Sequence, residues 1–179
     1  CPPEYCDANN LVYRAYLAAS RQWGIKEKGL KIHVDSPIPP ARGLGSSAAM
    51  IVAGVAAASH LHGLNKSLQD MLEVATQVEG HPDNVAPAIL GGLCVSLMKD
   101  NKVYALPAPV AEGVRFLALV PDFSLSTHKA RAALPATIAR EDGVFNVGHA
   151  ALLLRALETG DRALLSAAMA DKLHQPYRF

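Results

Sequence analysis

The sequence has no charge of one sign to spare. Seventeen Lys and Arg face sixteen Asp and Glu over 179 residues, a net charge of +1. That balance argues against a nucleic-acid surface and a polybasic membrane patch. Cysteine is scarce as well. Only Cys1, Cys6 and Cys94 occur, an odd count without a CxxC pair. A disulfide framework or a structural zinc site would need more, so a reducing, cytoplasmic setting is the expectation. Long apolar runs are missing. The longest covers residues 48–58, broken only by Gly54, and a membrane-spanning helix needs roughly 20. The residues from Cys1 onward do not read as a signal peptide. The chain opens Cys-Pro-Pro without Met, so residues preceding Cys1 are expected to be absent. No GxxxxGK[ST] run occurs either, which argues against a P-loop NTPase.

What is present is core material. Half of the residues are hydrophobic and 18% are charged, a composition that argues against intrinsic disorder. The length suits one domain, or one domain and part of a second.

Residues 9–23 read as a helix, with Leu11, Tyr13, Leu17 and Ala18 as its apolar stripe and Gly24 as its stop. Residues 30–35 alternate as a half-buried strand would. Residues 46–62 are Ala-rich and apolar nearly all round, which predicts a buried helix. A second helix follows from the cap Ser67 to Glu79, closed by Gly80, and a short third one after Asp83. Residues 92–98 and 102–106 predict two strands joined by an Asp-Asn turn. The stretch 107–113 (PAPVAEG) is the best domain boundary. Residues 114–120 form an apolar run suited to a buried strand, and two or three helices fill 126–173. No internal repeat occurs, and the element mix is α+β.

Two segments carry chemistry. In the first, residues 36–45 hold three prolines and two glycines, which makes a loop. Gly43 and Gly45 can take positive φ and let the backbone approach a ligand. The helix that starts near Ser46 offers free N–H groups and a positive dipole end, an anion site. Ser46 and Ser47 add hydroxyls that could bond a phosphate or bind Mg²⁺. The same residues also suit a plain N-cap after a Gly-rich turn, and spacing does not choose between the two.

The second segment is residues 79–84, Glu-Gly-His-Pro-Asp-Asn. Glu79 falls on the face of Leu72 and Ala75. A carboxylate aimed at a core needs a cation or donors; alternatively it bends out to solvent from the last turn. Glu79 with a Ser hydroxyl makes a plausible Mg²⁺ pair of hard oxygen donors. Asp83 and Asn84 suit an N-cap equally well, and His81 suits a structural hydrogen bond. His60 and His62 are two apart on a helix and point to different faces, so they are not a metal pair.

Taken together, residues 39–49 (PPARGLGSSAA) resemble the central signature of the GHMP kinases. Residues 78–93 (VEGHPDNVAPAILGGL) look like the homoserine kinase branch of that family. Further matches are residues 9–13 (NNLVY), 126–135 (STHKARAALP) and 175–178 (QPYR), so the resemblance runs end to end. It implies a two-domain α+β kinase fold. A ribosomal-protein-S5-like N-terminal domain would span residues 1–110, lacking its first strands. Part of a ferredoxin-like C-terminal domain would span 111–179. The family's N-terminal substrate motif and its late GSGPS-like motif do not occur here, so a fragment without activity of its own is expected.

The activity implied is transfer of the ATP γ-phosphoryl group to the hydroxyl of L-homoserine, with Mg²⁺ and in the cytoplasm. Pro39, Pro40, Ala41, Arg42, Gly43, Leu44, Gly45, Ser46, Ser47, Ala48 and Ala49 would wrap the ATP phosphates. Ser47 and Glu79 match the Mg²⁺ contacts, with Ser46 as the alternative to Ser47. His81, Asn84, Thr127, Arg131 and Arg178 match the homoserine pocket. Arg131 and Arg178 can hold a carboxylate by paired hydrogen bonds. Glu79, Asn84 and Arg131 would serve the reaction itself, with Asp83 as the rival to Asn84. Family habit suggests a homodimer, and neither nucleic acid nor membrane is an expected partner. Two other readings stand beside this one: a GHMP kinase for another small alcohol, and a non-catalytic nucleotide-binding remnant.

Overall fold

A computed structural model describes residues 6–120 and 132–178, with the side chain of Arg178 left out. The chain packs as two compact units. One comprises residues 1–40 and 44–107, the other residues 41–43 and 108–179.

The first unit is a helical layer with a small hairpin. Helix α1 is Leu11–Gln22, and its cap is Asn10, whose side chain accepts from the N–H groups of Val12 and Tyr13. Helix α2 is Ser46–Leu61. It crosses α1 closely at Gly54, where a Cβ would come within 2.2 Å of the Val12 carbonyl oxygen. Helix α3 is Leu68–Glu79 and starts with a capping box, in which Ser67 and Asp70 each bond the other's backbone. The Ser67 hydroxyl, at 2.8 Å, and then the Ser67 N–H, at 3.1 Å, both donate to Asp70 Oδ2 and hold its carboxyl below the usual pKa. Helix α4 is Val85–Leu90. Tyr16, Ile51, Val55, Leu72, Val74 and Val85 are buried where the four helices meet.

Strands β1 (Leu93–Lys99) and β2 (Lys102–Ala108) form a two-stranded sheet. The loop between them is Asp100-Asn101, with φ of 51° and 60°. Two left-handed residues in a row match the twist of the flanking strands. Val103 of β2 is buried, and its carbonyl accepts from the Gln69 side chain of α3 at 2.8 Å, which ties the hairpin to the helical layer.

In the second unit, α5 (Arg140–Thr159) and α6 (Arg162–Ala168) make a helical hairpin. Gly160, at φ 71°, closes α5, and the Asp161 side chain caps α6. Ala156 and Ala168 are buried on the two helices. The backbone of Ala111 bonds the Leu157 carbonyl at 2.8 Å and joins the preceding segment to α5. Helix α7 is the single turn Gln175–Arg178. Among the described residues no helix is long and apolar enough to cross a membrane.

Two sequence expectations differ from this fold. Residues 30–35 are not a strand, and residues 114–120 are neither a strand nor buried. Phe116, Leu117 and Leu119 are exposed. Alternation and apolar runs record which faces a segment could bury. A strand exists only where a second strand supplies its ladder, and among the described residues none lies beside either segment.

Candidate active site

The loop before α2 owes its shape to backbone angles. Ala41, Gly43 and Gly45 have φ of 54°, 71° and 76°. A Cβ built on Gly43 or Gly45 would meet nothing within 4 Å, so φ rather than space calls for glycine there. Ala41 takes the same conformation with a Cβ, at a cost of about 1–2 kcal/mol. Gly45 is the N-cap of α2 and has no side chain to bond the first N–H groups. Those groups and the positive end of the helix dipole are therefore available to an anion. The Arg42 guanidinium reaches its neighbour's carbonyl, that of Ala41, at 3.4 Å.

The start of α2 meets the end of α3. The Ser47 hydroxyl donates to Glu79 Oε2 at 3.0 Å. Ser47 is exposed and Glu79 half-buried. Glu79 therefore points neither into the core nor away from the molecule, but to the first turn of α2. Among the described residues it makes no ion pair. Ser46, the alternative donor, is half-buried at the first position of the helix.

The chain then turns sharply. Gly80 closes α3 at φ 92°, with its N–H on the Thr76 carbonyl at 2.7 Å. Pro82 is buried, and its carbonyl accepts from Ala86 N–H at 2.8 Å. His81 Nδ1 lies in short contact with Asp83 Oδ1. The same oxygen accepts the Asn84 backbone N–H at 3.2 Å. Asp83 is thus occupied with shaping the turn. Asn84 is exposed, and its side chain does not cap α4. It lines a cleft of about 530 Å³ whose walls include Leu44, Gly45, Ala49, Val52 and Pro87.

The structure thus brings together Ser47 with Glu79, His81 with Asp83, and Asn84 with the glycine loop. Thr127 and Arg131 lie outside the described residues. Arg178 is the last residue of α7. One feature escaped the sequence. A cavity of about 600 Å³ lies between the start of α1 and residues 29–34, lined by Asp7, Asn10, Tyr13, Ile32 and His33 among others. Asn10 and Tyr13 read as an ordinary helix start, and no spacing rule links them to a segment some twenty residues away.

Residues 10–92 match the family described as GHMP kinases N terminal domain. A homoserine kinase of Clostridium botulinum is 47% identical over 178 residues, covering 99% of this chain and 60% of that protein. A homoserine kinase of Clostridium beijerinckii is 42% identical over the same span of 178 residues. The crystal structure of homoserine kinase from Cytophaga hutchinsonii superposes with a TM-score of 0.81 at 31% identity, over 96% of this chain and 56% of that one. The chain thus spans about 60% of the length of the curated relatives it matches.

Proposed function

The chain belongs to the GHMP kinases, and we propose that its protein is a homoserine kinase. It would transfer the γ-phosphoryl group of ATP to the hydroxyl of L-homoserine in the cytoplasm, giving O-phospho-L-homoserine for threonine synthesis. The observation that carries this reading is the Ser47–Glu79 pair, 3.0 Å apart beside a glycine loop at a helix start.

Residues 39–49 hold the ATP phosphates in this reading. The N–H groups at the start of α2 and the hydroxyls of Ser46 and Ser47 serve as donors. Ser47 and Glu79 hold Mg²⁺. They fit it: both are oxygen donors, and among the described residues no cluster of three or more His, Cys, Asp or Glu offers a richer metal site. Mg²⁺ takes few protein ligands and keeps water and phosphate oxygens for the rest. When bound it neutralises charge on the phosphate oxygens.

The remaining work is positioning. Asn84 faces the attacking hydroxyl, and an amide cannot act as a general base. The hydroxyl proton therefore leaves late, to the phosphate itself. The engagement of Asp83 with His81 and with the Asn84 N–H supports this choice. Arg131 and Arg178 hold the carboxylate of the substrate, Thr127 contacts it, and His81 supports the pocket. A homodimer accompanies the family reading.

Substitution decides between the two rivals. Asn84→Ala is expected to lower turnover by about 10²-fold while the protein stays folded. If Asn84→Ala leaves the rate intact and Asp83→Ala abolishes it without unfolding, the roles are reversed.

A further inference from the structure

One carboxylate in the second unit takes no part in the reaction described above, yet it organises more backbone than any other side chain in that unit's described part. Asp171 Oδ1 accepts from the Asn146 side chain at 2.6 Å and from Leu173 N–H at 3.0 Å. Its Oδ2 accepts from His174 N–H at 2.7 Å and Gln175 N–H at 2.6 Å. Four donors thus surround one half-buried carboxylate. Three of them are successive backbone groups that lead straight into α7.

The grip comes from α5. Asn146 uses both ends of its amide: the nitrogen on Asp171 and the oxygen on Lys172 N–H at 2.9 Å. Lys172 Nζ reaches Asp142 at 2.9 Å and lies over the Phe145 ring. Asp142, Phe145 and Asn146 are spaced three and four apart, on one face of α5. One turn of a twenty-residue helix therefore clamps residues 171 and 172. Beyond the clamp, Pro176 fixes its own φ, and Tyr177 N–H bonds the His174 carbonyl at 3.1 Å. The backbone that leads to Arg178 is thus tied at Gln175 and at Tyr177.

We infer that Asp171, seated by Asn146, is a positioning residue that sets where Arg178 stands and so tunes capture of the substrate carboxylate. This rests on the role given above to Arg178. Asp171 is suited to such a task. Burial raises its carboxyl pKa, but the hydrogen bonds from Gln175, Asn146, Leu173 and His174 more than offset this. The carboxyl is held well below its usual range, so the turn keeps its shape across the working pH range.

The test is steady-state kinetics on the whole protein, with Asp171→Asn, Asn146→Ala, Arg178→Ala and the double variant Asp171→Asn/Arg178→Ala. Asp171→Asn keeps the size but turns an amide N–H towards backbone donors. It should raise KM for homoserine by about tenfold, with kcat and the KM for ATP changed less than about twofold. Asn146→Ala reads the same clamp more gently, and keeps the question answerable if Asp171→Asn folds poorly. The double variant should be no worse than Arg178→Ala alone, because Asp171 acts through Arg178. Additive effects, or equal losses in both KM values and kcat, would make Asp171 a structural tie and overturn the inference. An Arg178→Ala protein with unchanged KM for homoserine would instead overturn the role of Arg178, leaving the two failures distinct.

Discussion

Gly54→Ala should destabilise the protein, although alanine is the better helix former. Gly54 lies in the middle of α2, where alanine would gain about 1 kcal/mol of helix propensity. The crossing with α1 opposes that gain. The new Cβ would stand 2.2 Å from the Val12 carbonyl oxygen, 2.8 Å from Ala15 Cβ and 3.0 Å from Tyr16 N. The carbonyl of Val12 and the N–H of Tyr16 are four residues apart, the partners of one helical hydrogen bond. Backbone cannot rotate away as a side chain can, so the helices must separate by about 1 Å. Overpacking of this kind costs about 1–3 kcal/mol, and a backbone obstacle belongs at the upper end. The net loss is about 2 kcal/mol, or a fall in Tm of about 4–8 °C for a protein of this size. Thermal melts of the whole protein followed by circular dichroism provide the assay. Gly148→Ala in α5 is the control, since a Cβ there meets nothing within 4 Å. It should raise stability by about 0.5–1 kcal/mol. A Gly54→Ala protein that melts at or above the wild-type temperature would show that the α1–α2 crossing has room for a Cβ at this position.

Other perturbations test other contacts. Glu79→Gln should cut turnover by about 10²-fold, because a carboxylate next to the phosphates is lost, while stability moves by less than about 1 kcal/mol; turnover and melts on one preparation check both. Tyr16→Phe removes the hydroxyl that meets His62 Nε2 at 3.1 Å and accepts Lys28 N–H at 2.9 Å. It should cost about 1–2 kcal/mol, seen as a lower urea midpoint at unchanged m value. Asp171 gives a pH dependence of stability. Its folded carboxyl lies below the usual 3.8, so its contribution is present above that value and fades as the pH falls below it. The stability gap between wild type and Asp171→Asn should therefore hold near neutral pH and shrink in acid. A gap that widens in acid contradicts the hydrogen-bond pattern drawn around Asp171.

Local chemistry was the part most legible in the sequence. Ser67 as a cap, Gly80 after Glu79, and Asp100-Asn101 each specify a backbone conformation within a few residues, and each stands where the sequence placed it; the Asp70 half of the capping box came only with the structure. The start of α2 at Ser46 was readable for the same reason, whereas the first helix, expected over residues 9–23, runs Leu11–Gln22 with Asn10 as its cap. Residues 30–35 and 114–120 were not, because a strand is a property of two segments and the sequence describes one at a time. In the candidate site, spacing put Glu79 on the apolar stripe of α3 but could not find its partner. Ser47 stands thirty-two residues away, and only the packing of α2 on α3 brings it to 3.0 Å. The role of Asp83 in bonding His81 and Asn84 was hidden for a simpler reason. A tight turn allows several pairings, and geometry selects among them.

The most direct test of the central claim is ADP release by the whole protein with Mg-ATP and L-homoserine, mevalonate or galactose in turn. Turnover is expected with homoserine alone, lowered about 10²-fold by Glu79→Gln. Turnover with another alcohol would keep the fold and overturn the substrate assignment. Folded protein that binds ATP yet turns over none of the three would contradict the kinase reading and leave a nucleotide-binding module.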